Sequence, residues 1–586
     1  MLGPPKERDL DRPVVASLEA LVPAHHFYRH LEAKLDLTFV RDLVRACYAP
    51  VGRPSIDPVV FFKLQLILFF EGLRSERQLL EIASLNLAHR WYLGYHLDEP
   101  LPDHSSLSRI RRRLGVAVFL RFFEHIVALC QEAGLVWGQE LFFDATKVPA
   151  NADVDSLRPR LELLTREHLE ALFADTATDA AEPEPVVIPL DGPPVTAVSP
   201  ADDPPAAGTL ATTAPRETWD LLERYRLDPA APPRHGYQRT ATWRISTTDA
   251  DATPMSDGGR TALGYHDHYV VDGGKARIIL AALVTSTTVM ENQPMLDLLW
   301  RVRFRRRVWP RRVVGDTTYG TGDIIRAVED EGIRAYVPLP NHEQRTPYYG
   351  PSQFRYDPTR DEYCCPQGQP LRRHAAVSAK AAVRYRAEAA TCNACPVKAA
   401  CTASDQGRLV YRSFHATYLD RVRTYHQTPA YRKAMRKRQV WVEPLFGEAK
   451  QWHGLARFRL RGLEQVNTEG LLIAAGQNLK RWLAATGWGR RQAPWGSLVA
   501  QPPPSLPLWP RFVALGSRDP PFHGRQQARR APAAPWTAPG CARATASWAR
   551  QLASPGMAPT DFFNRLQHCV YHLRIASPGR TKLHGT

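Results

Sequence analysis

The sequence predicts an α/β protein in three parts: an all-α N-terminal domain, a mixed-sheet core, and a small cysteine-rich insert. Helical periodicity and cap residues run to about Gly115, and short β-branched runs begin at Gly138. Five cysteines gather between Cys364 and Cys401. A chain of 586 residues exceeds what one hydrophobic core usually supports, so two or three folded units with linkers are expected.

In the N-terminal part, 1–115, Val59 to Leu73 is amphipathic, a helix follows the cap-like Ser75, and Ser105 to Leu114 follows Pro102 and Asp103. The apolar run Val59 to Phe70 spans twelve residues and is broken by Lys63 and Gln65, short of the ~20 a bilayer span requires, so it reads as a buried helix. The segment Ser75 to Tyr95 and then Leu101 to Gly115 gives helix, turn and a helix carrying Arg109, Arg111, Arg112 and Arg113. Two readings stand equal: a DNA-docking pair, or a solvated basic face.

A net charge of +17, with arginine far outnumbering lysine, points to a polyanionic partner, nucleic acid first and an anionic membrane surface second. The N-terminus lacks the apolar core and cleavage site of a secretory signal, so a cytoplasmic protein with reduced thiols is expected. Nine cysteines fit a local metal site better than a disulfide framework.

The core's first part, 136–345, opens with GQELFFDAT, a buried strand expected to end at Asp144. RISTTDADATPM, YHDHYVVDG and KARIILAALVT read as strands, and RRVVGDTTYG as another ending at Asp316. GDIIRAVEDEGI then returns as a helix to AYVPLP, a right-handed crossover unit. Two low-complexity stretches, an insert at 174–215 and a Pro/Arg-rich tail at 489–586, are expected to be disordered. An aspartate after a strand is most often a turn former, but two of them, each at a strand end, are also what a Mg²⁺ site at a sheet edge uses.

The second part of the core, 430–485, supplies a third acid. Glu443 and Lys450 are seven residues apart, two helical turns, and share one face. This segment, VEPLFGEAK, resembles the third-acid helix of bacterial insertion-sequence DDE transposases, marked by Glu-x6-Lys. FFDATKVPANA and VVGDTTYGTGDIIRAVEDEGIRAYVP resemble the family's first and second acid motifs, and GRPSIDPVVFFKLQLILFFEGLRSERQLLE the N-terminal helical domain of one branch. The likeness spans about Pro50 to Trp482. Where the fuller signature has Tyr-x2-Arg before the glutamate, this chain has Arg436 and Gln439, with Arg438 adjacent.

The resemblance implies an RNase H-like core in which Asp144, Asp316 and Glu443 hold two Mg²⁺ ions, with Mn²⁺ able to replace them. It also implies DNA phosphate contacts from Lys450, Arg436 and Arg438, recognition of the element's terminal repeats by the N-terminal domain, joining to target DNA, and a homodimer on DNA. No membrane partner is expected. A stand-alone nuclease on the same core and a catalytically dead DNA-binding regulator are the rival readings.

The interval between the second and third acids requires an insert, and the cysteine region at 350–415 fits it. Cys364 or Cys365, with Cys392, Cys395 and Cys401, has the spacing of a structural zinc ribbon, with Cys365 taken as the ligand, against unligated or redox-active thiols. RVRFRRRVWPRR, from Arg301 to Arg312, reads as a phosphate-tracking surface, although part of such a run solvates a helix end. Trp441 and Trp452 are candidates for base stacking or for core packing, and His266 and His268 read as strand residues.

Overall fold

A computed structural model of the chain describes residues 15–49, 55–176, 218–226 and 244–489, apart from 342 and 344. The expected disordered tail, save Gly489, lies outside the described residues, as does the 174–215 interval except for its first three residues, which close the helix Arg160–Thr176.

Local chemistry sets the N-terminal helices. Asp57 caps Pro58–Phe70 by accepting from the Val59 N–H at 2.9 Å, and Pro58 sits in the first turn, where its missing N–H costs nothing. Phe61, Phe62, Leu64, Gln65, Leu66 and Ile67 are all buried, so this helix is enclosed on nearly every side rather than amphipathic as expected. Ser75 caps Glu76–Leu85, Asn86 caps Leu87–Leu93, and Asp103 caps the next helix through Ser105. That helix, His104–Glu132, runs through the boundary expected near residue 115, broken only at Gly115, where φ is 66°. Its second half packs against the helix Leu463–Ala485, so these helices and the sheet share one continuous apolar core rather than two. It is long and apolar enough to cross a membrane, but most of that stretch is buried inside the protein.

The sheet begins with β1 (Glu140–Pro149). β2 (Leu157–Pro159) and β3 (Arg244–Ser246) form a separate ribbon. β4 (Thr253–Asp257) and β5 (Arg260–Asp272) form an antiparallel pair, and β5 lies antiparallel between β1 and β6 (Ile279–Ser286). On the other side of β1, β7 (Arg312–Val314) and β8 (Arg334–Tyr336) run parallel to it, joined across the helix Gly322–Asp330 as predicted. The sheet is six-stranded, in the order β4-β5-β1-β7-β8 with β6 also paired to β5. β1 does not stop at Asp144: β5 is thirteen residues long and pairs with Ala145 through Pro149 as well.

The helix Leu463–Ala485 closes the outer edge of β6. Asn467 accepts from the Val284 N–H and donates to its carbonyl, both at 2.8 Å, and Asn478 does the same to Ile279 at 2.8 Å. Two side-chain amides thus satisfy backbone groups that an edge strand would leave open.

Between β8 and the third-acid region, β9 (Arg355–Asp357), β10 (Glu362–Cys364), β11 (Pro370–Val377), β12 (Ala382–Ala387) and β13 (Leu409–Ser413) form an antiparallel meander. It has a small core of its own from Phe354, Tyr363, Leu371, Tyr385, Ala387 and Cys401. The insert is therefore a five-stranded sheet with the cysteines at one end, more structure than cysteine spacing alone predicts.

Candidate active site

Strand geometry brings the first two acids together. β1 and β7 are parallel neighbours with Phe142 opposite Val314, so Asp144 and Asp316 each lie two residues beyond the same rung. Both acids thus follow neighbouring strands at the same edge of the sheet. Asp316 leaves β7 and caps the turn Thr317–Tyr319, its Oδ1 accepting from the Thr318 N–H at 2.8 Å. The capping role expected of a post-strand aspartate is real, and its second oxygen is left for other work.

The third acid arrives on a helix start. Pro429–Trp441 ends at Val442, and a new helix, Glu443–Trp452, begins with Pro444 in its first turn. Proline cannot donate to the carbonyl four residues back, and that carbonyl, of Val440, accepts from Arg277 at 3.3 Å instead. Glu443 thus stands at a helix N-terminus, largely exposed.

One guanidinium touches all three acids. Arg438 Nη2 donates to Asp144 Oδ1 at 3.2 Å and lies 3.9 Å from Asp316 Oδ2, while Nη1 lies 4.0 Å from Glu443 Oε1. Side-chain exposure rises from 10% at Asp144 through 32% at Asp316 to 57% at Glu443, so the acids form a floor, a wall and a rim. Burial pushes the Asp144 carboxyl up from its ordinary range, Arg438 opposes this, and the Asp316 charge adds to it. Lys437, on the same helix as Arg438, and Arg312, on β7, ion-pair with the buried Glu140 at 2.6 and 2.7 Å, fastening both elements to the start of β1.

Lys450, two turns from Glu443, donates to the Lys147 carbonyl of β1 at 3.0 Å. Its side chain is partly buried against β1. Glu448 turns away and joins Lys480 at 2.5 Å, Arg481 at 2.9 Å and His453 at 3.5 Å. Burial would raise its carboxyl, but His453, Arg481 and Lys480 together hold it well below the usual carboxylate range. Arg436 is exposed on the preceding helix. The Trp441 indole donates to the Gly274 carbonyl at 2.8 Å, which is the packing role.

The expected basic surfaces change composition. Arg109, Arg112 and Arg113 are exposed, and Arg113 lies over the Tyr48 ring. Arg111 is not available to DNA: it is buried, and both its terminal nitrogens reach the Glu76 carboxylate at 2.8 to 2.9 Å. In the run from Arg301 to Arg312, Arg301 and Arg306 pair with Glu124, Arg303 with Glu331 and Arg312 with Glu140. Most of that run braces the core and is no phosphate track. His266 and His268 are buried on β5, as strand residues.

In the insert, Cys365, Cys392, Cys395 and Cys401 line one small pocket, and Cys364 does not. Cys365 sits in a tight turn, its Sγ accepting from the Gln369 N–H at 3.3 Å, with Gly368 at φ 75°. Burial pushes the Cys401 thiol up, Arg408 opposes this, and Cys392, Cys365 and Cys395 push it further. Among the described residues, no group of three or more His, Cys, Asp or Glu side chains is gathered as a ready metal-binding set. What fits a cation is the donor chemistry: hard carboxylate oxygens around Arg438, soft thiols around the insert pocket.

One acid near the site has no sequence signal. Glu291, in the turn after β6, has its carboxyl pushed up by burial and by the charges of Asp316 and Asp144. Nothing local in Val-Met-Glu-Asn-Gln marks it, because its neighbours come from other strands.

Comparison with known families gives two matches. Residues 16–113 match a family described as a transposase domain (DUF772), and residues 364–483 match a transposase DDE domain. The second covers Arg438, Glu443, Lys450 and the five insert cysteines, whereas Asp144 and Asp316 fall outside both. A DDE domain is consistent with an RNase H-like core, and the mixed sheet accords with it. No curated protein and no solved structure matches the chain.

Proposed function

The chain belongs to the insertion-sequence DDE transposases with an N-terminal domain, and from that membership we propose that it cuts DNA at the ends of its element and joins the freed 3′ ends to target DNA, using Asp144, Asp316 and Glu443. The observation that carries this reading is the convergence of three carboxylates, from two strands and a helix start, on the single guanidinium of Arg438.

Asp144, Asp316 and Glu443 are the residues that would hold divalent cations, two Mg²⁺ or Mn²⁺. When bound, such cations polarise a phosphate and lower the pKa of water or of a 3′-hydroxyl. The rigid floor of Asp144 and the capped Asp316 hold their oxygens in fixed positions, which limits reorganisation during reaction. Arg438 balances the acids and lies where a phosphate oxygen approaches them. Lys450 and Arg436 flank the same helix pair, and Arg109, Arg112 and Arg113 offer a separate basic face for the terminal repeats. Two ends must be held together, so a homodimer on DNA, in the cytoplasm, belongs to this reading. The insert pocket suits a structural zinc ion on Cys365, Cys392, Cys395 and Cys401, remote in chemistry from the carboxylate site.

The test uses a labelled terminal-repeat duplex with Mg²⁺ and a target plasmid. Wild-type protein is expected to give cleaved and joined products, and Asp144→Asn neither. Cleavage without joining of pre-cut ends would leave a nuclease, and undiminished products from Asp144→Asn would remove the proposed site.

A further inference from the structure

Glu291 and His266 form a contact that the three-acid reading does not use. Glu291 lies in the turn between β6 and the helix Met295–Arg306. That turn is fastened to the second acid's own loop: Asn292 Nδ2 donates to the Thr318 carbonyl at 2.9 Å, and the Thr318 N–H is the group that Asp316 caps. It is fastened to the sheet as well, because the Val289 carbonyl accepts from His266 Nδ1 at 3.1 Å. His266 stands on β5 opposite Lys147 of β1, three residues past Asp144.

The tautomer follows from that bond. A carbonyl can only accept, so Nδ1 carries the proton, and in the neutral ring Nε2 is left as an acceptor. His266 is 6% exposed, its Nε2 has no hydrogen-bond partner, and the nearest ionic group is Glu291 Oε1 at 3.7 Å. Two acceptors facing one another at that distance, with the carboxylate only 25% exposed, are unfavourable unless a donor comes between them. Burial pushes the Tyr319 hydroxyl up, and the charges of Asp144, Asp316 and Glu291 add to it.

We propose that Glu291 is a fourth carboxylate of the catalytic site, positioned by His266, and that the pair accepts protons from the water shell of a divalent cation held by the other acids. The inference rests on the three-acid reading above and adds a ligand environment to it. Of the pair, Glu291 is the group that would act on the water shell of a bound cation. His266 acts through it.

The experiment measures Mn²⁺ binding by the full chain on a pre-cut terminal-repeat duplex, following free Mn²⁺ by electron paramagnetic resonance, with melting temperature as a folding control. Glu291→Gln is expected to weaken Mn²⁺ binding by about tenfold to a hundredfold, as loss of an outer-shell partner commonly does, with DNA affinity unchanged. His266→Ala should weaken it in the same direction, and His266→Gln, whose amide oxygen can take the place of Nε2, should restore it. Asp144→Asn serves as the control on the underlying reading. If it binds Mn²⁺ as the wild type does, the three-acid site itself is wrong. If it loses Mn²⁺ while folded Glu291→Gln keeps wild-type affinity and cleavage, the fourth carboxylate alone is refuted.

Discussion

Replacing Glu443 and Glu448 by glutamine in turn separates chemistry from stability on one helix. Glu443 is 57% exposed and borders Arg438 at 4.0 Å, so Glu443→Gln should alter stability by no more than about 0.5 kcal/mol. It removes a charge from the proposed cation site, and cleavage should fall about 10³-fold or more, about 4 kcal/mol of barrier, with DNA binding retained. Glu448 offers the reverse. Its partners are Lys480 at 2.5 Å and Arg481 at 2.9 Å, with Arg481 14% and Lys480 40% exposed. Breaking a fully buried pair costs roughly 3–5 kcal/mol, and the half-open Lys480 discounts this to about 2–3 kcal/mol for Glu448→Gln. Cleavage should stay within a few-fold of wild type at temperatures where the variant is folded. The Glu448 carboxyl is depressed in the folded state, so its contribution is fully present above the unfolded value near pH 4.5 and is lost as pH falls below it. Melting curves of wild type and Glu448→Gln should therefore converge on acidification. An active Glu443→Gln beside a folded but inactive Glu448→Gln would refute the assignment of the third acid.

Three further outcomes are expected. Arg111→Ala should lower stability by about 2–3 kcal/mol, since the largely buried Glu76 keeps, of its ion pairs, only the longer contact to Arg459 at 3.8 Å, whereas joint replacement of Arg109, Arg112 and Arg113 by Gln should shift melting little and flatten the salt dependence of DNA binding, measured by anisotropy at several ionic strengths. Burial lowers the His268 pKa to about 3, so stability tied to its neutral form is present above the unfolded value near pH 6.5 and is lost as pH falls towards 3; His268→Gln should make melting less pH-dependent across that window. Elemental analysis of purified protein should find one zinc per chain, and Cys395→Ser should lose it and loosen the insert to proteolysis while Mg²⁺-dependent cleavage survives; zinc-free wild-type protein would remove the structural metal.

Much of the candidate site was legible because its signals are local. An apolar strand followed by Asp and small polar residues, or Glu and Lys two turns apart, can be recognised within ten residues, and so can the caps at Asp57, Ser75 and Asp103. What was hidden depends on distant partners. Arg111 looks like its basic neighbours until Glu76, 35 residues earlier, folds against it. The arginines from 301 to 312 likewise find Glu124, Glu140 and Glu331 only in three dimensions. β1 overran its expected end because its length is set by β5, more than a hundred residues later. The insert's strands escaped notice because several, such as Pro370–Val377, are mostly exposed and carry charged residues where an apolar alternation would be sought.

The two asparagine clamps on β6 bear on how copies of this protein can meet. Asn467 and Asn478 lie eleven residues apart on one helix and grip Val284 and Ile279, five apart on the strand, so helix and strand are indexed to one another at two points. A slip by one residue would break four hydrogen bonds at once and bury the amides unpaired. The same bonds occupy backbone groups through which a neighbouring chain would extend the sheet. Strand addition along that edge of β6 is therefore blocked at Ile279 and Val284, and any second chain meeting the protein there would have to do so through side-chain surfaces.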